Sequence, residues 1–271
     1  MGGHTRTRRF WLTAAVCSAA AVLLVQQPAY AATLTDGAIH RPKSSTVYDL
    51  AVTRPAWSAV AVFSPDNWNV SLFEGSGPWL ASSTGYGLGK TEFVAINSHL
   101  RAPGTYRVEA TRVTGFSPYV QWRQAAEKIV LPVSANDGVT GAGDPDLAFA
   151  WLDSRDVVNV FDMHLNYGEM FWVNSRPDTG FYFLQSSPYD AATFVRTRAQ
   201  AVVVPGMRVV GNCTLYRAGH TGWHGVVMIG NRVPVATVPA GGTAFTLHRF
   251  DPARPDTCPQ RNFPDYTPPG P

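Results

Sequence analysis

Charge is scarce in this chain: only 15% of its 271 residues are Asp, Glu, Lys or Arg. Long solvated helices need more than that, and the 24 glycines and 21 prolines would interrupt them. Cysteine is equally sparse, with three in all, which excludes a disulfide-dense miniature scaffold. There is no HExxH and no paired-carboxylate motif, so a linear catalytic signature is missing. After the first 25 residues no apolar run is long enough to cross a bilayer.

Two near-motifs fail on inspection. "TGYGLGKT" offers Gly89, Lys90 and Thr91, but Thr84 stands where a phosphate-cradling loop needs its first glycine, and "EFVAINS" after it reads as a strand rather than a helix. "GFSPY" imitates a nucleophile elbow around Ser117, yet Tyr119 replaces the second glycine of that tight turn. His220 and His224 in "HTGWH" are spaced for a shared metal on a helix, but Gly222 and the strand-rich surroundings favour a turn. His164 and His248 have no evident partner in the sequence.

The N-terminus carries Arg6, Arg8 and Arg9 ahead of the apolar stretch Phe10 to Val25, then "AYA" ending at Ala31. This is the pattern of a secretory signal peptide over 1–31, cleaved after Ala31, with the Arg8–Arg9 pair leaving a twin-arginine route open. About 16 apolar residues fall short of the ~20 of a membrane anchor. Removing the three arginines from 22 basic residues leaves 19 against 19 acidic ones. A neutral exported chain has no electrostatic footprint for nucleic acid, and none for a membrane after cleavage. Two cysteines then remain, Cys213 and Cys258, and in an oxidising compartment a disulfide between them is the expectation. Closing that loop is worth about 4 kcal/mol on the chain-entropy estimate. A nucleophilic Cys213 served by His220 or His224 is the less favoured alternative.

Strand periodicity dominates the rest. "TYRVEAT" puts Tyr106, Val108 and Ala110 on one face, and "WNVSLF" does the same with Val70 and Leu72. "KIVLPV" alternates Ile129, Leu131 and Val133, with Pro132 marking an edge. "SAVAVF" and "AVVV" are continuous apolar runs, suited to strands covered on both faces. Turns such as "SPDN", "EGSGP" and "RPDTG" separate them, and short strands at this spacing predict a β-sandwich. The chain also repeats itself. "VYDLAVTRPAWSAVAVFSPDN" (47–67) aligns with "VFDMHLNYGEMFWVNSRPDT" (160–179), "APGTYRV" with "VPGMRVV", and "TGFSPYVQW" with "TGWHGVVMI". The expectation is an irregular segment at 32–45 and a sandwich at 46–134. A linker at 135–149, a second sandwich at 150–250 and a proline-rich tail at 251–271 follow.

"VYDLAVTRPAW", "WNVSLFEGSGPWLASST" and "APGTYRVEATRVTGFSPYVQW" resemble the bacterial pre-peptidase C-terminal domain family, with a weaker second copy downstream. The resemblance implies jelly-roll-like β-sandwiches of the kind attached to secreted enzymes, some of which contact calcium or insoluble polymers. The sequence departs from that pattern in reducing an acidic pair to Asp66 and Asn69, and in carrying no peptidase. Calcium has one other foothold: Asn136, Asp137, Asp144 and Asp146 share the loop "NDGVTGAGDPD", without the ligand alternation of an EF-hand.

The tryptophans remain. Trp57, Trp122, Trp151 and Trp172 fall where strands bury them, whereas Trp68 and Trp79 flank turns, with Tyr86 nearby. These three are the candidate binding platform, since an exposed aromatic plane stacks on sugar rings. The expected function is that of an exported, non-catalytic binding or accessory protein contacting an extracellular polysaccharide or protein, with no cofactor. The alternative is a secreted hydrolase whose polar groups converge between the two sandwiches.

Overall fold

The computed structural model describes residues 31–85, 87–131, 147–174, 179–187, 194–202, 209–210, 213–235 and 242–252. Its strands run β1 (Ala32–Thr33), β2 (Ile39–His40), β3 (Thr46–Ala51), β4 (Trp57–Phe63), β5 (Trp68–Phe73), β6 (Trp79–Ser83), β7 (Glu92–Asn97), β8 (Thr105–Arg112), β9 (Tyr119–Gln124) and β10 (Lys128–Ile129). They continue as β11 (Leu147–Asp153), β12 (Val158–Leu165), β13 (Met170–Asn174), β14 (Thr179–Leu184), β15 (Val195–Thr197), β16 (Val209–Val210), β17 (Cys213–Arg217), β18 (Gly222–Gly230) and β19 (Gly242–Arg249). The only helical turn among the described residues is a 3-10 turn at Arg198–Gln200. No helix among them is long and apolar enough to cross a membrane.

The chain is an all-β sandwich fold in four sheets. Sheet A orders its strands β1-β3-β8-β5-β6, and sheet B β15-β7-β4-β9-β2. Sheet C runs β10-β12-β18-β14, and sheet D β11-β19-β13-β17-β16. Neighbours are antiparallel except β1–β3 and β10–β12. In sheets C and D, β10 aside, the first strand pairs with the last (β11–β19) and the second with the penultimate (β12–β18), the nested pairing of a jelly roll. Sheets A and B are wired differently, with β4 held between β7 and β9. The repeated segments sit in unlike layers: β3 pairs with β8 in sheet A, whereas its aligned counterpart β12 lies in sheet C.

Alternation explains the faces. In β5 and β8 every second residue is buried, so Val70, Leu72, Tyr106, Val108 and Ala110 meet Val60, Val62, Val94, Ile96 and Val120 of sheet B. Strand β4 is buried at all seven positions, as its unbroken apolar run requires. Its other face, with Trp57, Ala59, Ala61 and Phe63, packs on Val158, Val160, Val227 and Ile229 of sheet C. A third core, between sheets C and D, holds Phe161, Phe171, Phe183, Val226, Phe245 and Leu247. Apolar cores therefore fill all three gaps, A–B, B–C and C–D.

The B–C gap is narrow because Gly225 of β18 lies beneath the Trp57 indole; a Cβ there would come within 2.6 Å of Trp57 Cδ2. Polar clamps close its margins. Gln121, fully buried, accepts the N–H groups of Val157 and Val158 and donates to Asp156, both of whose oxygens are also met by Arg123 Nη2, at 2.8 and 2.9 Å. Burial raises the Asp156 pKa, and the Arg123 charge partly offsets it. The two halves also trade strands: β15 joins the edge of sheet B against β7, and β10 joins sheet C against β12.

Segment 32–45, read from the sequence as irregular, contributes β1 and β2 and buries Leu34. Two-residue strands carry no periodicity to read; their pairing is set by tertiary contacts. The "AVVV" run is half-buried at Ala201 and Val202, just beyond the 3-10 turn, and its last two residues lie outside the described residues. So do Pro132 and Val133, the calcium candidates Asn136, Asp137, Asp144 and Asp146, and Cys258 with the proline-rich tail from residue 253 onward.

Candidate functional site

Of the three platform residues, Trp79 is exposed at 59%, Tyr86 lies outside the described residues, and Trp68 is not on the surface. Trp68 is 2% exposed, packed in the A–B core, with its indole N–H donating to the Phe116 carbonyl at 2.9 Å. Trp68 shares the parity of Val70 and Leu72 in β5, and period two sends all three inward.

What surrounds Trp79 is a cross-strand row on the outer face of sheet A. Asp49 pairs with Arg107, Arg107 with Phe73, and Phe73 with Trp79. Four neighbouring strands thus place four side chains abreast, about 14 Å from end to end at normal strand spacing. The Arg107 guanidinium lies 4.6 Å over the Phe73 ring. A bulge makes the row possible: the register shifts between Leu72 and Phe73, so that Phe73 opposes Trp79 while Leu72 opposes Ala81. Strict alternation back from the buried Ala81 would turn Trp79 inward. With the extra residue, Leu80 leans on the core and Trp79 points out. The next row, Val47, Glu109, Ser71 and Ser82, is small or polar, and Phe73 and Trp79 stand beside it. Sequence reasoning missed Phe73, Arg107 and Asp49 as partners of Trp79; the signal lay in the outward parity of Arg107 and Phe73, but the registers that align them are not written locally.

The other candidates have structural employment. Thr91 of the imitation phosphate loop is buried. Its hydroxyl donates to the Gly230 carbonyl at 2.6 Å and its N–H to Asn231 Oδ1 at 3.0 Å, tying sheet B to sheet C. Strand β7 follows it, as the sequence indicates. Ser117 precedes β9 with no helix after it. Asp66 accepts the Phe116 N–H at 2.8 Å beneath Gly115, whose φ of +77° and contact with that carboxylate admit no Cβ.

His220 and His224 do come together, stacked 4.3 Å apart, but from a turn into a strand rather than along a helix. His224 is fully buried and stacks on Phe183 at 5.1 Å. Burial first, and the neighbouring His220 second, drive its pKa down to about 3, while a bond to the Gly222 carbonyl at 2.9 Å acts the other way. Cys213 is buried against Trp172, with Leu215 and Phe250 beside it. Among the described residues no group of three or more His, Cys, Asp or Glu side chains is arranged to hold a metal.

One His–Asp pair does span the two halves. His99, just after β7, meets Asp162 of β12 with Nε2 to Oδ2 at 2.8 Å, and Asp162 Oδ1 accepts the Trp57 N–H at 2.8 Å. The side chains are 13% and 4% exposed. His99 stacks on Trp223 at 4.9 Å and 11° between planes. Both carboxylate oxygens are engaged, which suits a clamp between sheets B and C.

No family model matches the chain, and no curated protein matches its sequence. Among solved structures, a Eubacterium rectale protein described as secreted shares 9% identity at a TM-score of 0.26, over 78% of this chain and 72% of that one. YhhW from Escherichia coli shares 9% identity at a TM-score of 0.21, over 80% and 78%. The CUB1-EGF-CUB2 region of human MASP-1/3 shares 9% at 0.21, over 78% and 99%. Scores this low assign neither a family nor a function to the chain.

Proposed function

We propose that the protein is an exported, non-catalytic binding module of the pre-peptidase C-terminal type that holds an extracellular polysaccharide through the outer face of sheet A. The observation that carries the reading is the Asp49–Arg107–Phe73–Trp79 row, a stripe with aromatic side chains at one end and a cation beside them. Sugar rings stack their C–H faces on such planes, and the flanking charges take hydroxyl hydrogen bonds. The formally neutral chain expected after leader cleavage supports a neutral polymer over nucleic acid. A Cys213–Cys258 bridge, suited to an oxidising exterior, belongs to the same reading. The test is co-sedimentation of the protein from Ala32 onward with insoluble chitin, cellulose and peptidoglycan, with calcium and with EDTA. Retention on one polymer, lost in Trp79→Ala and Phe73→Ala and kept in EDTA, is the expected result. Retention unchanged in both variants refutes the stripe.

A second reading, a hydrolase, is favoured by the His99–Asp162 pair alone, since it joins an imidazole to a carboxylate across the two halves. Release of products from an ester or glycan library, abolished in Asp162→Asn with the fold intact, would establish it. The clamp reading expects no turnover.

A further inference from the structure

We propose that a second, separate site lies in the cleft beside Trp223, and that it takes a six-membered ring bearing a carboxylate, as in a uronic acid. The cleft encloses about 280 Å³, and its lining includes Lys128, His164, Asn166, Glu169, Trp223 and Arg249 beside the apolar stretch 129–131. That volume sits at the lower end of ligand pockets, the size for one ring rather than a chain.

The charges select the ligand. Glu169 is already committed: Oε1 pairs with Arg249 Nη1 at 2.6 Å, and Oε2 accepts the Asn166 N–H at 2.8 Å. Asp162 stands opposite Lys128 in the β10–β12 register, but His99 and the Trp57 N–H take both its oxygens. Lys128, exposed, therefore has no ion pair among the described residues, and its ammonium rests 4.6 Å over the Trp223 ring. His164, also exposed, meets the edge of the same indole at 5.1 Å. The cleft thus combines a cation without a carboxylate, a ring nitrogen donor or acceptor, and an aromatic surface. A neutral sugar would use only the last two. A carboxylate would draw Lys128 into a charge-assisted pair and leave the indole to the ring's C–H face. Trp223 is itself held by His99 stacked on it, so the surface is set before a ligand arrives. This site does not rest on the stripe of sheet A, which lies on a different sheet.

The experiment is titration of the protein from Ala32 onward with sodium glucuronate, glucose and benzoate, followed by tryptophan fluorescence and by calorimetry at low and high salt. Saturable glucuronate binding at least tenfold tighter than glucose, weakened by salt and weakened at least tenfold in Lys128→Met, is the expected result. Methionine keeps the aliphatic stem of this exposed residue, so the fold survives. His164→Ala, also exposed, should weaken binding severalfold and serves as the second variant. Benzoate binding alone overturns the sugar assignment. Equal affinity for glucose and glucuronate overturns the charge argument, and no saturable binding of any of the three overturns the site.

Discussion

Acidification should unfold this protein through one residue in particular. His224 is buried neutral, stacked between Phe183 and His220, with a pKa of about 3 against 6.5 for a free histidine. Its folded-state value is depressed, so its contribution is complete above pH 6.5 and is lost as the pH falls toward 3, because the unfolded chain takes up a proton that the folded one refuses. Each pH unit in that window costs about 1.4 kcal/mol per proton. Between pH 7.5 and 4.5 the loss approaches 3 kcal/mol, a large share of the 5–15 kcal/mol typical of a folded protein. His220, half-buried with its own pKa lowered by burial and by Arg196, acts in the same direction, weakened by solvent screening. Asp156 acts oppositely: its raised pKa gives back stability as the pH falls through that value toward 3.8. The decisive comparison is His224→Phe, which retains a ring against Phe183. Urea unfolding at pH 7.5 and 4.5 should show the wild type losing nearly 3 kcal/mol more than the variant, a difference of about 1 M in relative midpoint. Equal pH dependence in the two proteins would refute the assignment, since every other titrating group is common to both.

The remaining predictions are briefer. Gly225→Ala forces a methyl into the fully buried Trp57 indole and should cost about 1–3 kcal/mol in chemical denaturation, while leaving any binding on sheet A intact. Thr91→Val removes the hydroxyl bond to Gly230 across the B–C gap and should cost about 1 kcal/mol, read the same way. Trp79→Ala, at an exposed site, should leave the melting temperature within about a degree even as it abolishes polymer retention. Peptide mapping under non-reducing conditions should recover Cys213 joined to Cys258, and reduction should lower stability by up to about 4 kcal/mol.

The layers were legible because burial leaves a period. β5 and β8 alternate, β4 is apolar but for Ser58, and each occupies the layer its pattern requires. Trp68 is legible too, because it shares the inward parity of Val70 and Leu72 in β5. The Trp79 row was not. It depends on a bulge at Leu72–Phe73 and on registers among four strands that are distant in sequence, and no local pattern encodes either. Nor could the sequence show that His99 meets Asp162, a pair formed only when sheets B and C come together, or that Lys128 lies over Trp223, which β12 separates from it within sheet C.

The placement of β15 has a consequence for biogenesis. Until residue 197 has been made, β7 presents an unpaired edge, and Ala95 and Ile96 wait for partners a hundred positions downstream. An open edge of this kind recruits other chains, so a nascent or truncated N-terminal half should be prone to aggregation. A fragment ending near residue 131 should accumulate as insoluble material, and one reaching past 200 should recover solubility only if the intervening sheets also form. Export of the chain unfolded, with pairing deferred until all of it is present, would avoid that hazard.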